Sequence, residues 1–213
     1  MGRTTDLGRR IELISMDPHF HNISIALYRQ EVGGSPTFTV QSYSGKEGSQ
    51  QRLQFVMRAM TLLAGLEFVP DQTDKLQFPC HAEHLLACRR AFLEVCKLDP
   101  ALPIEKRPLT ILDKKSNRTI TVNSISGGVY HLTADGEETD KANRIVAVAN
   151  GLVKLGQMQV SDSNGDRVAF GCGQSHDGLV GLLLIRALNV RAVLREQELA
   201  AARGVLSAPS SQK

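Results

Sequence analysis

Apolar and polar positions in the first half of the chain predict three strands followed by a helix. Three segments alternate in this way or are rich in β-branched residues: 11–15, 23–28 and 37–43. Apolar residues then recur at helical spacing between Ser49, a candidate N-cap, and Gly65. A short strand at 75–78 and a helix at 81–98 complete a βββαβα order.

The same order of elements returns in the second half. Three short strands bounded by turn residues are predicted at 109–112, 119–125 and 129–133. Thr139 is a candidate cap for the next helix, which carries Ile145 and Leu152 on one face. A strand at 167–170 then leads to a strongly apolar helix that begins near Asp177. The two halves therefore match in element order.

Individual residues also recur between the halves at one constant spacing. Arg52, Phe78, Cys80 and His84 are matched 92 positions later by Arg144, Phe170, Cys172 and His176. Each half also has an aspartate at the end of its first strand and a Gly-Gly hairpin. Together these coincidences favour a tandem duplication. We therefore expect an α+β fold, a mixed-sheet α/β arrangement, with two tandem βββαβα halves related by a pseudo-twofold axis.

Prolines mark the junction between the halves. Pro100, Pro103 and Pro108 fall within ten residues, and proline both fixes its own φ and disfavours helix in the residue before it. The chain is accordingly divided into a flexible N-terminus (1–10), a first half (11–98), a linker (99–108), a second half (109–199) and a flexible C-terminal tail (200–213).

The predicted topology resembles a known superfold. A meander followed by helix, strand and helix predicts that the fourth strand returns beside the first, through a right-handed crossover. The strand ending in Asp17-Pro18, the hairpin at 23–43 and the helix from Ser49 resemble the front of the ribonuclease-H-like superfold and the opening of Holliday-junction resolvases. The duplication resembles the actin-like and sugar-kinase-like proteins. This resemblance implies a magnesium-dependent phosphoester or phosphoryl-transfer site on Asp17 and Asp113.

The residues that follow these aspartates depart from that pattern. His19 to His21 follow Asp17-Pro18, and Lys114 to Ser116 follow Asp113, where the families have glycine so that backbone amides can approach phosphates. The fourth strand also ends without a carboxylate. His19 and His21 could bind a metal from one face of a strand, but two imidazoles leave a tetrahedral site half filled.

Two Cys-x-x-x-His motifs carry the most specific candidate chemistry. Cys172 lies between two glycines ahead of a helix, where a thiolate is favoured, and His176 and Asp177 follow it. These three residues could form a catalytic thiol site, with Asp177 orienting the imidazole or binding substrate. Under a pseudo-twofold, Cys80 and His84 would instead join Cys172 and His176 as four zinc ligands. Simple packing in the core is the alternative for both motifs.

Composition and charge narrow the classes of function. Lys and Arg number 25 against 22 Asp and Glu, and aromatic residues make up 5%, so a nucleic-acid partner is not expected. The chain shows no secretion signal and no apolar run long enough to span a membrane. We expect a cytoplasmic protein with free thiols, in which Cys88 and Cys96 pack in the core. The apolar helix at 179–188 favours a homo-oligomer.

These observations favour one function and leave two alternatives open. The absence of the superfold's carboxylates and phosphate loop favours a cytosolic, non-catalytic binding or assembly protein, with a protein or small-molecule partner. The first alternative is a thiol or zinc enzyme that uses Cys172 and His176. The second is a divergent metal-dependent phosphoester or phosphoryl-transfer enzyme. Zinc or magnesium is the expected metal in these alternatives.

Overall fold

The computed structural model describes residues 9–14, 24–43, 48–113 and 117–189. The first half consists of β1 (Arg9–Ile14), β2 (Ile25–Val32), β3 (Ser35–Ser42), α1 (Ser49–Ala64), β4 (Glu67–Phe68), β5 (Lys75–Gln77) and α2 (Leu85–Val95). The second half consists of β6 (Thr110–Asp113), β7 (Arg118–Ser124), β8 (Val129–Ala134), α3 (Glu138–Gly156), β9 (Met158–Val160), β10 (Arg167–Phe170) and α4 (Asp177–Ala187). The predictions for Asp17, His19, His21 and the tail at 200–213 fall outside the described residues.

Two five-stranded sheets with the same strand order confirm the α+β class. The orders are β1-β2-β3-β5-β4 and β6-β7-β8-β10-β9, so the halves correspond element by element. Among the described residues, each half contains one more strand than the sequence pattern predicts, because β4 and β9 are too short to show a period. The Gly33-Gly34 turn joins β2 to β3 as predicted, and both glycines adopt positive φ.

The predicted position of the strand after the first helix is wrong in both halves. In each case this strand pairs antiparallel with the third strand, as Phe38 with Leu76 and Tyr130 with Val168. It does not return beside the first strand, where a parallel pairing was expected. All pairings among the described strands are antiparallel, so neither sheet is mixed. The reason is the additional strand in each half. β4 pairs antiparallel with β5, and β9 pairs antiparallel with β10, and each of these hairpins lies beside the third strand of its sheet.

Two predicted helix caps also differ from the structure. Ser49 is the first residue of α1, whose N-cap is Gly48, and Thr139 lies inside α3, whose N-cap is Glu137. In both helices the first amides receive no side-chain cap. The predicted end of α1 is confirmed, because Gly65 adopts the left-handed conformation and its N–H bonds the Thr61 carbonyl.

Helix α4 lies at the centre of the molecule and explains its apolar sequence. It packs against α1, α2 and α3, and its residues from Leu179 to Leu184 are buried. The contact with α3 is close, since a Cβ added to Gly151 would lie 2.5 Å from the Ala187 carbonyl oxygen. The apolar face therefore finds partners within one chain, and the homo-oligomer stays a prediction. In the described part of the chain, no helix combines the length and apolarity required to cross a membrane.

Candidate metal centre

Each half supplies one cysteine and one histidine from equivalent places. The cysteines, Cys80 and Cys172, lie in the turns after β5 and β10. The histidines, His84 and His176, are the N-cap residues of α2 and α4. His84 adopts a left-handed backbone conformation, with φ 36° and ψ 42°. The tandem arrangement thus brings two helix N-termini and two strand ends to one point between the halves.

The four side chains converge as the duplication implies. Cys80 Sγ lies 3.1 Å from His84 Nε2, and Cys172 Sγ lies 3.3 Å from His176 Nε2. The two sulfur and two nitrogen atoms all lie within 4.8 Å of one another. The cluster could therefore hold a metal ion, with one thiol and one imidazole from each half.

Aromatic rings enclose the two imidazoles. The rings of His84 and His176 meet edge to face with their centroids 4.8 Å apart. Phe78 and Phe170 contact both imidazoles at centroid distances between 5.0 and 5.5 Å. Both phenylalanines are fully buried. These four rings, called the ring cluster below, fix the imidazoles and exclude water from one side of the candidate site.

Burial sets the protonation states of the candidate ligands. Desolvation lowers the pKa of His176 to about 4, with a smaller contribution from His84, while Asp177 acts in the opposite direction. Desolvation also lowers the pKa of His84. The pKa of Cys80 is raised to about 11, again chiefly by burial. At neutral pH the imidazoles are therefore neutral, the form that binds a metal, and the Cys80 thiol stays protonated until a metal displaces its proton.

A surface cavity reaches the cluster beside His84 and Cys172. This cavity of about 290 Å³ is bounded by α2, β9 and the loop after β10, and its walls include Glu83, His84, Gln157 and Cys172. Cys80 and Cys172 are half-buried, whereas the histidines are 8% and 5% exposed. The two cysteine residues are thus more exposed to solvent than the two histidines.

Asp177 and Tyr130 support the backbone at His176. The Tyr130 hydroxyl accepts a hydrogen bond from the His176 amide and donates one to Asp177 Oδ1 at 2.9 Å. Burial raises the pKa of Tyr130, which keeps its hydroxyl protonated. The Asp177 carboxylate therefore binds the Tyr130 hydroxyl. Its negative charge acts to raise the pKa of the His176 imidazole. Sequence analysis missed Tyr130, because 46 residues separate it from His176 and no motif links them.

The other sequence candidates lie elsewhere. The Asp113 carboxylate forms an ion pair with the Arg144 guanidinium, which also binds Asp140. This carboxylate is thus engaged by a cation of the protein. Cys88 and Cys96 are buried in the core, as predicted. The partner aspartate, Asp17, and the pair His19 and His21 lie outside the described residues.

Comparison with protein-family models, with curated proteins and with solved structures finds no match for this chain. Among the described residues, these four Cys and His side chains form the one group that could hold a metal ion.

Proposed function

We propose that this protein is a zinc-binding protein, in which Cys80, His84, Cys172 and His176 hold a single zinc ion between the two halves. The convergence of two ligands from each half, with all four ligand atoms within 4.8 Å, supports this function. The ion has a structural role, and the protein acts in binding or assembly rather than in catalysis. Its cytosolic location and its partners stay predictions.

The ligand set favours zinc over the alternatives. Two sulfurs and two imidazole nitrogens form a typical tetrahedral zinc environment, whereas magnesium prefers oxygen ligands. Ligand atoms around tetrahedral zinc lie about 3.3 to 3.8 Å apart, given zinc bonds of about 2.3 Å to sulfur and 2.0 Å to nitrogen. The observed separations of 3.1 and 3.3 Å within each motif require only small movements to reach this range.

Charge balance supports the same ion. Two thiolates neutralise the charge of one divalent cation, and the neutral imidazoles add none. The N-termini of α2 and α4 lie at the cluster, since His84 and His176 are their N-cap residues. The complex is therefore neutral overall and suited to its partly buried place.

Four protein ligands favour a structural role. Catalytic zinc keeps a coordination position open for water or substrate, while structural zinc is closed by four protein side chains. Here the ion connects a pair of ligands in each half, so its binding energy contributes directly to the stability of the pairing between halves.

The geometry also supports a thiol enzyme in one respect, the 3.3 Å contact between Cys172 and His176. A general base works best when its pKa is near the working pH. With a pKa of about 4, His176 is a weak base toward a thiol at neutral pH. The environment is therefore better suited to a neutral metal ligand than to an imidazole that activates a nucleophile.

Metal analysis of the purified full chain tests the proposal. We expect one zinc per chain, which Cys172→Ser loses. Cys88→Ala removes a buried thiol outside the cluster and keeps the zinc. Replacement with cobalt gives the absorption of a tetrahedral ion with thiolate ligands. A wild-type chain that neither contains zinc nor gains thermal stability from added zinc contradicts the proposal. Rapid alkylation of Cys172 in the presence of zinc would instead support the thiol enzyme.

A further inference from the structure

The two candidate sulfur ligands form a matched pair across the molecule. Cys80 and Cys172 occupy equivalent positions in the two halves, and their sulfurs lie within 4.8 Å of each other. Both side chains are half-buried, and Cys172 forms part of the cavity wall. Both cysteines are therefore accessible to a small oxidant.

The two remaining cysteines provide a contrast within the same chain. Cys88 and Cys96 lie in the core, 0% and 2% exposed. Neither belongs to the group of side chains that can hold a metal. Any oxidation that depends on access and on a neighbouring thiol is therefore expected at Cys80 and Cys172 first.

We propose that Cys80 and Cys172 are a modification site for hydroperoxides, which oxidise them to a disulfide between the two halves and release the metal. This inference rests on the proposed zinc site. The disulfide replaces the metal as the connection between the halves, so the protein exchanges a metal link for a covalent one.

The hydroperoxide is the two-electron oxidant that forms the disulfide. One thiolate attacks the peroxide oxygen, the O–O bond breaks, and a sulfenic acid forms at that cysteine. The second thiolate then attacks the sulfenic sulfur, the S–S bond forms, and water leaves. With hydrogen peroxide, two thiolates, one peroxide and two protons give one disulfide and two waters. The sulfurs lose two electrons, which the peroxide oxygens gain.

Local structure permits the required movement. A disulfide has a sulfur–sulfur bond of about 2.05 Å, so the sulfurs must approach each other by rotation of the side chains and a shift of the loops. Gly171 and Gly173 flank Cys172, and Gly173 already has a φ of 71°. Because glycine lacks a Cβ, the backbone on both sides of Cys172 can adopt conformations that are closed to other residues.

Loss of the sulfurs removes the basis for metal binding. A disulfide sulfur is a poor ligand, because the thiolate is the form that coordinates zinc. His84 and His176 then remain as two imidazoles, which leave a tetrahedral site half filled. One disulfide is therefore expected to release one zinc ion.

The experiment uses the zinc-loaded full chain and hydrogen peroxide. Released zinc is measured with a chromogenic chelator, and disulfides are mapped by mass spectrometry of non-reduced peptides. We expect zinc release in a one-to-one ratio with a Cys80–Cys172 disulfide, and recovery of zinc binding after reduction with a phosphine. Cys88→Ala is the matched control and is expected to behave as the wild type.

The outcomes separate this inference from the proposed function. If the protein holds zinc and peroxide forms no Cys80–Cys172 disulfide, or forms only sulfinic acids, the modification site is wrong and the zinc site stands. If the protein holds no zinc, both are wrong, even if a disulfide forms. Cys172→Ser is expected to lose zinc, so peptide mapping of the wild type after partial oxidation decides which thiols react.

Discussion

Glu94 and Arg186 occupy equivalent positions in the two halves and form an ion pair with each other, with Arg186 Nε 2.8 Å from Glu94 Oε1. They lie on α2 and α4, which pack against each other. Two identical charged residues at this place would repel. The halves therefore share their topology but carry opposite charges at this contact between α2 and α4.

A double-mutant cycle measures the strength of this ion pair. Both side chains are partly exposed, at 23% and 31%, so we expect a coupling free energy of about 0.5 to 1 kcal/mol between Glu94→Gln and Arg186→Gln. Urea unfolding of the wild type, the two single variants and the double variant gives this value. Strictly additive losses of stability would show that the pair contributes nothing to the contact between helices.

Replacement of Arg52 is expected to destabilise the first half. This arginine is fully buried and donates hydrogen bonds to the carbonyl oxygens of Cys96 at 2.7 Å and Leu98 at 3.3 Å. Arg52→Leu leaves both carbonyls without these donors, with an expected loss of about 2 to 4 kcal/mol in the free energy of unfolding. Arg58→Leu, at an exposed position of α1, is the control and is expected to change stability by less than about 0.5 kcal/mol.

Gly151 tests the close contact between α3 and α4. In an exposed helix, alanine is more stable than glycine by about 1 kcal/mol. Here the added Cβ would lie 2.5 Å from the Ala187 carbonyl oxygen, so Gly151→Ala is expected to destabilise by about 1 to 3 kcal/mol. Asn150→Ala, exposed on the same helix, is the control. A stabilising effect of Gly151→Ala in thermal unfolding would contradict the close packing of these helices.

The metal-free, reduced protein is expected to be most stable near neutral pH. The pKa of His176 falls from 6.5 to about 4 on folding, so the unfolded state binds more protons in that interval and stability decreases as the pH falls through it. The pKa of Cys80 rises from 9.0 to about 11, so the unfolded state loses its proton first and stability decreases as the pH rises through that interval. His84 adds to the acidic limb, because its pKa is also lowered.

Urea unfolding across this pH range tests both limbs separately. His176→Gln is expected to flatten the acidic limb, and Cys80→Ser is expected to flatten the alkaline limb. Asp177 faces His176 and opposes its loss of charge, so Asp177→Asn is expected to steepen the acidic limb. A free energy of unfolding of the wild type that stays constant from pH 6.5 to about 4 and from pH 9.0 to about 11 would contradict the burial of His176 and Cys80.

Sequence analysis predicted the candidate site better than it predicted the sheets. The constant spacing between the two Cys-x-x-x-His motifs, combined with a duplication, was sufficient to place Cys80 and His84 beside Cys172 and His176. The two sheets share one strand order, and the equivalent Cys and His side chains meet between them. Few other sequence patterns define a long-range contact so directly.

Strand pairing and buried polar contacts were not predictable in the same way. Hydrophobic alternation identifies a strand but not its neighbour. The sequence therefore predicts β5 beside β1, whereas it lies beside β3. The two residues of β4 are too few to show a period. Arg52 is charged and its burial depends on carbonyl groups at the end of α2, which no side-chain pattern reveals.

The ring cluster links the order of synthesis to the order of folding. Phe78 and His84 come from the first half, and Phe170 and His176 follow 92 residues later, so a nascent chain that ends in the linker has only two of the four rings. Contacts between such distant residues form late, because closing a long loop carries an entropic penalty. The candidate site is thus completed only when the second half has been made, and metal uptake would signal that synthesis has passed α4.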